Sequence, residues 1–155
     1  MGAKYAVMTN SGSSANLLAI SCLTNPLSKN KIQASSEVII PAICWSTSLW
    51  PIIQNNLKPV FVDVELGTFN IDIESIEKKI TKKTKAIMLV HVLGTSANMT
   101  KLMQIAKKYK IIILSDEIYT DLKFDKKYES ISKYYPEGTC ITGGLSKWCG
   151  AGGWR

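Results

Sequence analysis

Lys147 and Arg155 stand at either end of a glycine-rich turn, within the segment Gly-Leu-Ser-Lys-Trp-Cys-Gly-Ala-Gly-Gly-Trp-Arg at residues 144–155. An amine becomes a nucleophile only after losing its proton, which a partly desolvated site near other positive charge favours. A guanidinium in the same turn can grip a phosphate with two parallel hydrogen bonds. Lysine, glycine turn and arginine at this spacing therefore suit the capture of an aldehyde that carries a phosphate.

Two other segments carry groups that such a site needs. Residues 9–15 read Thr-Asn-Ser-Gly-Ser-Ser-Ala, a glycine turn opening into a helix pattern. Backbone N–H groups and the positive helix end make Gly12, Ser13 and Ser14 a phosphate seat, with an ordinary capped helix start as the plain alternative. No Gly-Lys-Ser/Thr follows, so this is not a nucleotide-triphosphate loop. Residues 114–119 read Leu-Ser-Asp-Glu-Ile-Tyr and place Asp116 just after an apolar run. A carboxylate at the carboxyl end of a parallel strand faces the ligand crevice, where it can pair with a protonated ring nitrogen. Asp116 also suits a helix cap, and Glu117 a surface carboxylate. Tyr119 can donate a hydrogen bond to a phenolic oxygen on the same ligand.

The elements that must position these groups are legible as apolar runs at residues 37–41, 59–64, 85–92, 110–114 and 139–142. Continuous β-branched runs suit strands buried on both faces of a parallel sheet. Helical patterns lie between them: 13–23, 73–80 opened by Asp72 or Asn70, and 101–109 opened by Asn98 or Thr100. The alternation implies an α/β fold, a three-layer open and mainly parallel sheet. Residues 123–138 are polar and aromatic and read as a loop with a short helix. The stretch 73–83 reads as a solvated outer helix rather than a membrane or partner helix.

The chain has 155 residues and a formal charge of +7, and of its 19 basic residues only Arg155 is arginine. Scattered lysines usually solvate a surface, and without basic blocks interleaved with aromatics no nucleic-acid partner is expected. Cys22, Cys44, Cys140 and Cys149 form no Cys-x-x-Cys pair, so neither a zinc knuckle nor a redox motif is indicated. The single histidine, His91, cannot supply a Ser-His-Asp triad or a multi-histidine metal site in such company. It either lines the crevice or satisfies a nearby backbone group. No run approaches eighteen apolar residues, so no membrane span is expected and the reading is cytoplasmic.

The order Asp-Glu-Ile-Tyr, Ser-Lys, Gly-Trp-Arg resembles the cofactor signature of class I, aspartate-aminotransferase-like pyridoxal-phosphate enzymes. The first 110 or so residues resemble a sister branch of that fold-type I superfamily, the DegT/DnrJ/StrS sugar aminotransferases and dehydratases. The resemblance there is carried by Asn10-Ser-Gly-Ser-Ser-Ala-Asn-Leu-Leu-Ala19, Pro41-Ala-Ile-Cys-Trp-Ser-Thr47 and Pro59-Val-Phe-Val-Asp-Val64. It implies pyridoxal 5′-phosphate as cofactor, held by Lys147 as an internal aldimine. It also implies Trp45 stacked on the ring, Asp116 on the ring nitrogen, Tyr119 beside it, and Gly12, Ser13, Ser14, Ser146 and Arg155 on the phosphate.

The implied activity is amino transfer from an amino-acid donor to a keto sugar or keto acid, in a homodimer. Dehydratases of the sugar branch replace the lysine with histidine, so Lys147 favours transamination. A dehydratase-like reaction and a non-catalytic cofactor-binding or oligomerising module are the alternatives. Residues 1–155 are expected to form an incomplete cofactor-binding large domain without its small domain, a fragment or chimera with a seam near 110–115. Such a chain is expected to be poorly soluble or only partly active.

Overall fold

The computed structural model describes residues 5–122 and 129–153. Five strands, β1 (Glu37–Pro41), β2 (Lys58–Val62), β3 (Thr84–Val90), β4 (Ile112–Asp116) and β5 (Thr139–Thr142), form one sheet in the order β2-β1-β3-β4-β5. All four pairings are parallel. Four helices cover it: α1 (Gly12–Thr24), α2 (Ser46–Gln54), α3 (Ile73–Lys79) and α4 (Met99–Tyr109).

Side-chain alternation along the strands divides the core into two layers. Val38, Ile40, Ala86, Met88 and Leu114 pack with Ile20 of α1 and Ile52 of α2. Ile39, Ile87, Leu89 and Ile113 pack on the other face with Ile73 and Ile76 of α3 and Leu102, Ile105 and Ala106 of α4. The apolar runs are therefore continuous because both faces of each central strand are covered. Each fully buried Ile or Leu contributes roughly 1.5–3 kcal/mol. The edge strand β2 shows the converse, since Phe61 remains half exposed.

Several boundaries differ from those expected. β4 starts at Ile112, because Lys110 is the left-handed C-cap of α4 (φ 54°) and its N–H returns to the helix carbonyls. Asp72 and Asn98 cap α3 and α4, accepting from Glu74 N at 2.9 Å and Lys101 N at 3.1 Å. Ser11, rather than a residue of 13–23, caps α1. Helix α2 was not legible, because Pro51 lies inside it. Proline there removes one backbone bond. Burial of Ser48, Pro51 and Ile52 against the sheet outweighs that loss, and the Asn55 amide adds a 2.9 Å bond to the Pro51 carbonyl. Of the loop at 123–138, residues 123–128 lie outside the described residues, and the remainder forms two 3₁₀ turns, Ile131–Lys133 and Pro136–Gly138.

Candidate active site

The order β2-β1-β3-β4-β5 reverses direction at β1, and an open parallel sheet binds ligands outside the carboxyl ends of its strands near such a reversal. Four groups collect at those ends. Trp45 lies four residues beyond β1, His91 directly follows β3, Asp116 ends β4 and Thr142 ends β5. Helix α1 enters with its amino end on the same side, because Asn16, one turn inside it, contacts both Asp116 and Thr142.

Asp116 shares the parity of Leu114 and so faces the α1 layer. Its Oδ1 accepts from the Ile118 N–H at 3.3 Å and its Oδ2 faces Asn16 Nδ2 at 3.5 Å. Burial pushes the carboxyl above the ordinary aspartate range, while those two donors pull it back. The backbone around it is tied to both neighbouring strand ends. His91 N–H donates to the Asp116 carbonyl at 3.4 Å, and Glu117 N–H to the Thr142 carbonyl at 2.8 Å.

At the start of α1, the Ser11 side chain accepts from Ser14 N at 3.1 Å and donates to Ser14 Oγ at 3.1 Å, so the Ser14 N–H is taken by the cap and the hydroxyl keeps only its own proton to donate. Gly12 has no atom within 4 Å of the place a Cβ would occupy, which leaves the helix end open. No acidic residue lies in the first turn. The end of the helix therefore favours an anion. Ser13 and Ser14 also wall a groove of about 210 Å³ with Thr47 and Trp50. That contact places the start of α1 beside the start of α2, whose N-cap is Trp45. The Trp45 indole is 74% exposed, available to stack and supporting no core.

The Lys147 ammonium lies over the Tyr119 ring, 5.4 Å from its centroid. The structure thus joins two site residues from separate segments. Lys147 sits in an exposed turn, however, so the desolvated surroundings expected for its amine are not supplied by the described residues. Ser146 is its half-buried neighbour, and Arg155 lies outside the described residues.

Three residues of the site were not singled out from sequence: Asn16, Thr142 and Gly94. Gly94 adopts φ +84°, and a Cβ there would fall 2.9 Å from the Tyr119 carbonyl oxygen. Only glycine allows the turn after β3 to lie so close to Tyr119. His91, although at the same end of the sheet, turns into the interior rather than toward the α1 side. It is 1% exposed, with Nε2 3.2 Å from Ser115 Oγ, on the α4 face of the sheet. Ser115 in turn donates to Glu117 Oε1 at 3.1 Å, and Ser130 donates to the same oxygen at 2.8 Å. Among the described residues no cluster of three or more His, Cys, Asp or Glu is placed to hold a metal ion, and no helix is long and apolar enough to cross a membrane.

The family model described as "DegT/DnrJ/EryC1/StrS aminotransferase family" matches residues 1–118. The chain belongs to that family. Among DegT/DnrJ/EryC1/StrS relatives, the lipopolysaccharide biosynthesis protein RfbH of Salmonella typhimurium is 44% identical over 117 residues, covering 75% of this chain and 27% of its own. A dTDP-3-amino-3,6-dideoxy-alpha-D-galactopyranose transaminase of Aneurinibacillus thermoaerophilus is 38% identical over 115 residues, covering 74% of this chain and 30% of its own. The E. coli GDP-4-keto-6-deoxy-D-mannose-3-dehydratase, solved with hydrated PLP, superposes with a TM-score of 0.73 at 40% identity, covering 83% of this chain and 33% of that one. The chain thus spans roughly a quarter to a third of the length of these family members. The match takes in the α1 start, Trp45, His91 and Asp116. Residues 119–155, with Lys147, lie beyond the span of the family model.

Proposed function

We propose that the chain forms the cofactor-holding core of a pyridoxal-phosphate-dependent aminotransferase that moves an amino group from an amino-acid donor to a keto sugar. The observation that carries this reading is Asp116, a half-buried carboxylate at the end of β4, held by α1 through Asn16. The residues fit the cofactor. The open helix end at Gly12 suits its phosphate, the acceptor at Asp116 its ring nitrogen, and the Lys147 amine above Tyr119 its aldehyde.

When bound, pyridoxal phosphate supplies an aldehyde that exchanges between amines and a ring that withdraws electrons from the carbon losing its proton. Gly12, Ser13, Ser14 and Ser146 hold the phosphate, joined by Arg155 on sequence grounds. Asp116 would accept a hydrogen bond from the protonated ring nitrogen and so keep the proton, and its positive charge, on the ring. Trp45 stacks on the ring, and Tyr119 donates from its hydroxyl to the phenolic oxygen while orienting Lys147. Lys147 would hold the cofactor through its aldehyde and, as a free amine, would serve as the base that takes the donor's α-proton and the acid that returns it. The exposed Ile43, Trp45 and Trp50 support a homodimer as the working unit, and four free cysteines suit the reducing cytoplasm.

A second reading, dehydration at C3 of a keto-deoxy sugar, is favoured by the solved 3-dehydratase, which is 40% identical. Lys147 speaks against it. The test is an absorbance titration of the purified chain with pyridoxal phosphate, then borohydride trapping and mass mapping, with Lys147→Ala as control. A trapped adduct on Lys147 and single-turnover amino transfer from glutamate support the proposal. No lysine-dependent adduct refutes it, and loss of water from a keto-deoxy sugar without net amino transfer establishes the second reading.

A further inference from the structure

Asn16 occupies a core-facing position of α1 at 3% exposure, where Ala19, Ile20 and Leu23 around it are apolar. A buried amide needs partners for both of its ends, and a leucine there would need none. Both partners come from distant strands. Thr142 Oγ1 donates to Asn16 Oδ1 at 2.9 Å, and Asn16 Nδ2 faces Asp116 Oδ2 at 3.5 Å. The orientation of the amide follows from the chemistry of its neighbours. An ionised carboxylate can only accept, so the NH₂ turns toward Asp116 and the carbonyl is left for the threonine hydroxyl.

We infer that Asn16 is a positioning residue that sets the Asp116 carboxylate relative to the phosphate seat, with Thr142 holding the amide in its orientation. This inference rests on the proposed function. Asn16 lies four residues after Gly12 on one rigid helix, a rise of about 6 Å at about 1.5 Å per residue. The anion-binding helix end and the carboxylate are thereby held at a set spacing, without a loop between them. Thr142 extends the same restraint to β5, five residues before Lys147. At 3.5 Å the contact with Asp116 is at the long end of hydrogen bonding, so it contributes direction more than energy.

The test is the affinity for pyridoxal phosphate, measured by absorbance titration at one pH. Wild type, Asn16→Leu and Thr142→Val are compared in the Asp116 background and again with Asp116→Ala. The expected result is a loss of about tenfold for Asn16→Leu and about threefold for Thr142→Val when Asp116 is present, and under about twofold when it is absent. A purely structural role would give equal losses in both backgrounds, and that outcome overturns the inference. Unchanged affinity in a soluble, folded Asn16→Leu also overturns it. If Asn16→Leu fails to fold, the nearly isosteric Thr142→Val decides by the same comparison. A wild-type chain that shows no saturable binding overturns the proposed function and this inference with it. Binding by wild type with background-independent variants overturns the inference alone.

Discussion

Asp116 and Glu117 are consecutive carboxylates at the end of one strand, yet they serve opposite sides of the sheet. Asp116 faces α1, accepts from one backbone N–H, and meets the single long contact from Asn16. Glu117 is 8% exposed on the α4 side, and its Oε1 receives the hydroxyls of Ser115 and Ser130. The difference lies in how completely the hydrogen-bonding capacity of each is used within the fold. A carboxylate supplied with short, close donors serves packing, here joining β4 to the 3₁₀ turn at Ile131–Lys133. One kept at the rim with room on an oxygen is suited to a ligand, at some cost in stability.

The two acids should differ most in catalysis. Under the proposed function Asp116→Asn lowers single-turnover amino transfer from glutamate on the order of 10²–10³-fold. Glu117→Gln, which still accepts both serine hydroxyls, leaves the rate within about threefold. Equal losses in the two variants would erase the functional distinction between the acids.

Stability should divide the other way. Ser115→Ala and Ser130→Ala each cost about 1–2 kcal/mol by chemical denaturation, because a buried carboxylate loses a donor, and neither changes cofactor affinity. Thr139→Ala, remote from both acids, serves as the control for general loosening of β5.

The pH dependence sharpens the contrast at Asp116. Burial raises its folded-state pKa above the ordinary aspartate value. The native state therefore binds more protons than the unfolded state between those two values, and its stability falls as pH rises through that window. Asp116→Asn should stabilise the chain at neutral pH, and the gain should shrink toward zero as pH falls through the raised range to the ordinary aspartate value. A gain that persists in acid would locate the effect outside this ionisation.

The smallest effect belongs to a surface cluster between α3 and α4. Lys108 and Tyr109 of α4 both bond Glu77 of α3 and hold its carboxyl below the usual glutamate range. All of these groups are exposed to solvent, where screening removes most of the benefit. Lys108→Ala should leave the denaturation midpoint unchanged at moderate salt. Any loss seen at low salt should disappear as pH falls through the glutamate range, since a depressed pKa stabilises only above it.

Most strands were legible because an apolar run bounded by turn residues has one good use in an α/β chain, between two covering layers. Glu37–Pro41 and Thr139–Thr142 appear with the expected limits, and the shift at β4 arises from a left-handed lysine that sequence does not mark. Asp72 and Asn98 were visible as caps for a local reason, since each reaches an N–H two or three residues away. Helix α2 was hidden because Pro51 carries a local signal against helix, and the packing that overrides it comes from elsewhere in the chain. Asn16 stood within the quoted motif, but its partners lie 100 and 126 residues away, beyond any spacing rule.

Local sequence is enough to supply the kinds of groups available: a hydroxyl-rich helix start, a carboxylate after a buried run, a lysine in a glycine turn and an indole beyond a strand. These follow from local propensity and from the two-residue period of a strand, which already assigns Asp116 and Glu117 to opposite faces. Tertiary structure decided which face was the crevice. It laid α1 over the ends of β4 and β5, brought Lys147 over Tyr119, and turned His91 into the interior. Those outcomes depend on long-range packing of the helices on the sheet, which minimises exposed apolar surface over the whole molecule and so leaves no mark at any single position.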